Sequence, residues 1–228
     1  MNIVGLQKVS LLNYPGLVSA TIYVNGCNFR CPFCHNSSIV KGEYEKLSEE
    51  DVFEYLEERK KMLDGVCVSG GEPTTQKDLN EFILKLKEMG FKVKLDTNGY
   101  NPTILKQLIE MGCLDYIAMD IKNSDEKYSK TAGVPIDINI INQSIDLIMN
   151  SGIDYEFRTT VVEEFHSLAD VEFIAKKIKG AKAYYIQNFE DSGDIMQSCL
   201  HGFKKSKLEE FAQVAKEFIP NSNLRGID

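Results

Sequence analysis

Short apolar runs rich in β-branched residues alternate along this chain with amphipathic segments, and that alternation constrains the fold more than any other feature. The runs cover residues 20–25, 65–69, 92–96, 116–120, 155–162 and 183–187. Each is short and reads as mostly apolar on both faces, as parallel strands covered on both sides do. The segments between them carry helix ends. Ser48 with Asp51 predicts an N-cap and a variant capping box for a helix running to about Met62. Leu79, Phe82, Ile83 and Leu86 form one stripe, closed by Gly90. Asn101 followed by Pro102 predicts a cap and an N1 proline, with the helix ending at Gly112. Further helices are expected over 141–151 and 170–179, and a last one opened by Ser206 and Glu209 stops before Pro220. Six β-then-α units with right-handed crossovers fit either an open doubly wound sheet or a barrel.

With 228 residues and no Pro/Gly/Ser-rich linker, the chain is expected to form one domain over 1–228. A hydrophobic content of 43% allows a large core. The net charge of −8 argues against a nucleic-acid partner, which would favour a basic face. No apolar run approaches the ~18 residues of a membrane span. The N-terminus lacks the charged and apolar regions of a signal peptide. These features predict a cytoplasmic protein without a membrane partner, in a compartment that keeps thiols reduced.

Three of the six cysteines, Cys27, Cys31 and Cys34, fall within eight residues just after the first run, spaced C-x3-C-x2-C. The spacing is too tight for a disulfide ladder. A structural zinc ion wants four ligands, and His35 could complete such a knuckle. A [4Fe–4S] cubane also offers four irons to thiolates, so three cysteines would leave one iron open to a ligand. Cys67 and Cys113 border apolar runs and read as core, and Cys199, near His201, reads as a surface thiol.

Parallel barrels place their chemistry at the C-terminal ends of strands. The unusual polar residues cluster there: the cysteines after the first run, Gly70-Gly71-Glu72-Pro73 after the second, and Asp96-Thr97-Asn98-Gly99 after the third. Asp120 and Lys122 follow the fourth run, and Gln187 and Asn188 end the sixth. Arg158 lies inside the fifth, where alternation puts it on one face with Glu156 and Thr160. The paired glycines permit close backbone approach to a ligand, and backbone carbonyls with Glu72 would suit an ammonium group.

The strings LNYPG, CNFRCPFCHN, SGGEPT, LDTNGY, MDIKN and RTTVV, spread from Leu12 to Val162, resemble the radical S-adenosylmethionine (SAM) family. Within it the chain resembles the glycyl-radical-enzyme activases, most of all the activating proteins of anaerobic ribonucleoside-triphosphate reductase. The resemblance implies an α/β fold, a partial (β/α)6 barrel of the radical SAM type, splayed open on one side. It implies a [4Fe–4S] cluster held by Cys27, Cys31 and Cys34, with SAM on the open iron and Phe33 beside cluster and adenine. Gly70, Gly71 and Glu72 match the motif that holds the methionine end of SAM, and Asp96, Thr97 and Asn98 match the strand-three motif. Asp120 and Lys122 match a D-x-K motif and are the expected catalytic pair, the lysine reaching SAM's carboxylate and the aspartate the peptide site. Arg158 matches a basic residue near SAM. Reductive cleavage of SAM would then give a 5′-deoxyadenosyl radical that takes hydrogen from a glycine of a partner protein. The implied partners are a glycyl radical enzyme, anaerobic ribonucleotide reductase first, and reduced flavodoxin or ferredoxin as electron donor. Pyruvate formate-lyase activases share most of these strings. An enzyme acting on a small molecule such as a deazapurine precursor would share the triad and GGEP. Two positions depart from the pattern. Gln187 and Asn188 stand where some activases carry a ribose-contacting histidine, which makes Gln187 the candidate there. Asn13 replaces the usual aspartate of the turn string.

Overall fold

The computed structural model describes residues 1–42 and 44–226. Among these residues, eight strands form one sheet whose spatial order follows the chain. They are β1 (Ile3–Ser10), β2 (Ser19–Val24), β3 (Gly65–Gly70), β4 (Lys92–Thr97), β5 (Tyr116–Asp120), β6 (Asp154–Val161), β7 (Tyr184–Asn188) and β8 (Ser222–Arg225). All six expected strands are present, with no end moved by more than one residue. β1 pairs antiparallel to β2. Every later neighbour is parallel. Sequential parallel neighbours with same-handed crossovers curl the sheet, and its two edge strands, β1 and β8, do not pair with each other. The result is the expected partial barrel, open on one side. β1 and β8 were not anticipated, because IVGLQKVS mixes polar and apolar residues and SNLR is only four residues long.

The register corrects one expectation. The strands are apolar on one face only. Val66, Val68, Val93, Leu95, Ile117, Met119, Phe157 and Ile186 enter the main apolar core. The alternate positions Lys94, Asp96, Glu156 and Arg158 are joined by ion pairs inside the barrel. Short strands with few polar residues hide this period-2 pattern.

The helices are α1 (Ser37–Lys41), α2 (Glu49–Glu58), α3 (Leu79–Glu88), α4 (Pro102–Glu110), α5 (Asp125–Ala132), α6 (Ile138–Met149), α7 (Leu168–Lys177) and α8 (Lys205–Lys216). Ser48 Oγ accepts from the Asp51 N–H at 3.4 Å, and Asn101 Oδ1 from Ile104 N–H at 3.3 Å, as their caps require. α2 ends at Glu58, short of Met62. α6 begins three residues earlier than expected, capped by Asp137. Asp170 is the third residue of α7, not its start, and closes a capping box with Ser167. Ser206 sits inside the first turn of α8, which begins at Lys205. No helix among the described residues is long and apolar enough to cross a membrane.

Candidate active site

The loop after β2 carries the cysteine triad and is tied down at three points. Gly26 N–H donates to Ile39 O at 3.2 Å, Arg30 N–H to Ala132 O at 2.8 Å, and Gln197 N–H to Pro32 O at 2.9 Å. Cys27, Cys31 and Cys34 line one cavity and are free thiols. The Cys27 sulfur accepts from the Phe29 N–H at 3.3 Å and lies 3.9 Å from Asn98 Nδ2. Burial, with Glu72 adding to it, pushes the Cys27 thiol up to about 12, and burial raises Cys31 as well. Such thiols give up their protons when a metal centre supplies the compensating charge. Phe33 is buried on the same cavity wall and packs 5.9 Å from Phe165 and 6.1 Å from His166, centroid to centroid.

The loop after β3 interlocks with the cysteine loop. Gly70 sits at φ +117°, and a Cβ on Gly71 would stand 1.8 Å from Gly26 O. Glu72 N–H donates back to that same carbonyl at 2.9 Å. The Glu72 carboxylate, expected to meet an ammonium group, is already engaged by four donors. These are Thr74 N–H at 3.1 Å, Thr74 Oγ1 at 2.6 Å, Thr97 Oγ1 at 2.7 Å and Asn98 N–H at 2.6 Å. Glu72 therefore joins the loop after β3 to the loop after β4. Burial raises its pKa despite these hydrogen bonds. Glu72→Gln puts an amide N–H2 against donors and should destabilise the folded protein by about 2 kcal/mol, the order of a charge-assisted hydrogen bond. Urea denaturation followed by circular dichroism reads it, and an unchanged midpoint would count against this bridging role.

Asp96, Asp120, Lys122 and Arg158 meet in a chain of alternating charge. Lys94 pairs with Asp96 Oδ1. Asp96 Oδ2 accepts from Ser69 Oγ at 3.1 Å and Arg158 Nη1 at 3.4 Å. Arg158 Nε donates to Asp120 Oδ1 at 2.8 Å, and Lys122 Nζ to Asp120 Oδ2 at 3.1 Å. Burial alone would raise both aspartates, but Arg158 with Lys94 or Lys122 overrides it and holds both below the usual range. Burial would lower Lys122, and Asp120 with Cys31 more than reverses that. With Glu156 and its partner Arg225 included, four cations face three carboxylates here, and Lys122 lines the cavity at one end of the network. That surplus suits an incoming carboxylate.

Thr97 and Asn98 are buried; Thr97 holds Glu72, and Asn98 grips Glu72, Asn28 and the edge of Cys27. Gln187 pairs with Thr160 in the β6–β7 register but is not among the residues lining the cavity. Asn188 instead fixes Phe203 main chain at 2.9 and 3.1 Å. Sequence reasoning missed Lys94, whose signal was its alternation with Asp96 in KVKLD. It placed Glu156 on the interior face but not its bidentate partner Arg225, at 2.7 and 3.1 Å. It also missed His166, which has no local signal. Val162 N–H donates to His166 Nδ1 at 3.1 Å, so Nε2 carries the proton and donates to Lys122 O at 2.8 Å.

The donor set suits a cubane. Three thiols share one cavity wall, and on the same lining His35 Nε2 is buried without a protein partner. Among the described residues no three His, Cys, Asp or Glu side chains are grouped around a single ion, and a cubane asks each thiol for a different iron.

A parallel half-barrel with three thiols on its first rim loop and a zwitterion-sized set of charges beside them defines an iron–sulfur enzyme. The Radical SAM superfamily model matches residues 21–178, and the chain belongs to that family. Its cofactors are accordingly a [4Fe–4S] cluster and SAM. A Methanocaldococcus jannaschii protein, provisionally named a glycyl-radical enzyme activating enzyme, is 36% identical over 98% of this chain and 95% of its own. A domain of pyruvate-formate lyase-activating enzyme from Bacteroides vulgatus matches with a TM-score of 0.59 and 15% identity, over 71% of this chain and 99% of that domain. Streptococcus suis SuiB bound to precursor peptide SuiA matches with a TM-score of 0.71 and 16% identity, over 90% of this chain and 48% of SuiB. The two solved structures bear on the fold alone.

Proposed function

We propose that this chain, acting as a single radical SAM domain, is a glycyl-radical-enzyme activase whose partner is anaerobic ribonucleoside-triphosphate reductase. The observation that carries the reading is the likeness to the M. jannaschii protein over nearly the whole of both chains. The six matching strings from Leu12 to Val162 and the open side between β1 and β8 support it. An opening of that kind suits a polypeptide loop better than an enclosed pocket would.

Bound together, cluster and SAM supply one-electron reduction and a hydrogen-abstracting carbon radical. The chain's own residues supply placement. Cys27, Cys31 and Cys34 hold the cluster. Backbone carbonyls of the Gly70–Gly71 turn accept the SAM ammonium. Lys122, backed by Asp120 and Arg158, takes the carboxylate. Phe33 walls the cavity, Gln187 is the candidate on the ribose side, and Asp120 faces the incoming peptide. Reduced flavodoxin or ferredoxin is the proposed electron donor. Six free thiols support a reducing, cytoplasmic setting.

The test mixes reconstituted protein, SAM and a reductant with the anaerobic reductase of the same organism. Electron paramagnetic resonance should show a glycyl-radical doublet on the reductase. Asp120→Ala should lower that signal more than it lowers SAM affinity. A doublet on pyruvate formate-lyase instead would keep the activase and replace the partner. Turnover of a small molecule with no protein radical would overturn the activase reading.

A further inference from the structure

Arg225 stands on β8, the four-residue edge strand at the open side of the barrel. Its guanidinium stacks over the Tyr185 ring, 3.8 Å from the centroid. From there it donates to both oxygens of Glu156, Nη1 to Oε1 at 2.7 Å and Nη2 to Oε2 at 3.1 Å. Glu156 is fully buried, and Tyr116 Oη also donates to its Oε2 at 3.0 Å. A carboxylate removed from water needs a cation against it. Two cations are within reach of this one. Arg158, two residues further along β6 on the same face, brings Nη1 to 4.0 Å from Glu156 Oε1. Arg158 is engaged elsewhere, with Nε on Asp120 at 2.8 Å and Nη1 on Asp96 at 3.4 Å. Arg225 therefore decides whether Arg158 stays with the aspartates or is drawn back toward Glu156. It also sets the charge balance. The ion pairs join Lys94, Lys122, Arg158 and Arg225 to Asp96, Asp120 and Glu156. Without Arg225, three cations would face three carboxylates, and the surplus that suits a ligand carboxylate would be gone. Arg158 and Lys122 line the cavity, whereas Arg225 and Glu156 do not.

We propose that Arg225 is a positioning residue for SAM: by neutralising Glu156 it leaves Arg158 to Asp120 and keeps a net positive charge facing SAM's carboxylate at Lys122. With Arg225 gone, Arg158 turns toward Glu156 and loosens its hold on Asp120. Lys122 is then the remaining partner of Asp120 and is less free for a ligand. Arg225 acts through these side chains and touches neither cofactor. The inference rests on the reading that Lys122 takes the carboxylate, and not on the identity of the partner protein.

The experiment measures equilibrium binding of SAM to the cluster-loaded full chain. Arg225→Gln removes the surplus cation and should weaken binding by about fivefold or more, the low end of coupling between separate sites. Glu156→Gln removes the competing carboxylate, keeps an oxygen for Tyr116, and should tighten binding. The double variant carrying both changes restores the original surplus and should bind SAM nearly as the unaltered chain does. A pair that merely braced β8 against the barrel would weaken binding, or leave it alone, in both single variants, so effects of opposite sign are the signature. If Arg225→Gln does not fold or load, Glu156→Gln decides: tighter binding supports the proposal, and unchanged or weaker binding overturns it. A loss in Arg225→Gln that the double variant does not restore also overturns it. Lys122→Met separates this inference from the reading beneath it. Weaker binding in Lys122→Met, with Arg225→Gln and Glu156→Gln both unmoved, overturns the inference and leaves the carboxylate at Lys122. Unchanged binding in Lys122→Met overturns both.

Discussion

Cys27→Ala, Cys31→Ala and Cys34→Ala should each abolish reductive cleavage of SAM and leave iron bound well below four per chain. Each thiol serves one iron of the cubane, so losing one leaves two irons open and the cluster unstable. Cys67→Ala, Cys113→Ala and Cys199→Ala should retain full loading and cleavage. Cys67 is fully buried on β3, 3.8 Å from Lys94 Nζ, and burial pushes its thiol up to about 12. Cys113 is buried in the connection between α4 and β5, and Cys199 is exposed. Iron and sulfide analysis with a 5′-deoxyadenosine assay separates the two sets. Loss of the cluster in Cys199→Ala, with loading intact in any of the three triad variants, would overturn the ligand assignment.

Lys122→Met should weaken SAM binding by about tenfold or more, because it removes the cation at the cavity end of the charge chain. A hydrogen bond to a charged group is worth about 1.5–3 kcal/mol, and 1.4 kcal/mol is a factor of about ten. The fold should tolerate the change, since Asp120 keeps its 2.8 Å contact with Arg158. Lys122→Arg should recover part of the affinity. Equilibrium binding to the cluster-loaded protein is the measurement. Unchanged affinity in Lys122→Met would show that SAM's carboxylate is held elsewhere.

The candidate site was legible where motif residues follow strands directly. The cysteine loop after β2, the glycine pair after β3, Asp96 to Asn98 at the end of β4, and Asp120 and Lys122 at the end of β5 all reach one cavity. Gln187 was placed from the same rim argument, but the β7 end turns away into the Asn188–Phe203 contact and leaves it outside the lining. Glu72 was read as a ligand for an ammonium group. Its partners Thr97 and Asn98 lie 25 and 26 residues away, and no local pattern reports that their donors saturate it.

The chain's own order of residues determined the strand–helix alternation, the parallel centre of the sheet and the position of the thiols, because these depend on periodicity, caps and spacing within a few residues. Only the tertiary structure decided how the charges pair. Lys94, Asp96, Arg158 and Asp120 come from three strands, and Arg225 reaches Glu156 across 69 residues from a strand too short to recognise. The barrel's curvature turns one polar face of each strand inward, so a row of residues that is scattered in sequence becomes a single buried network.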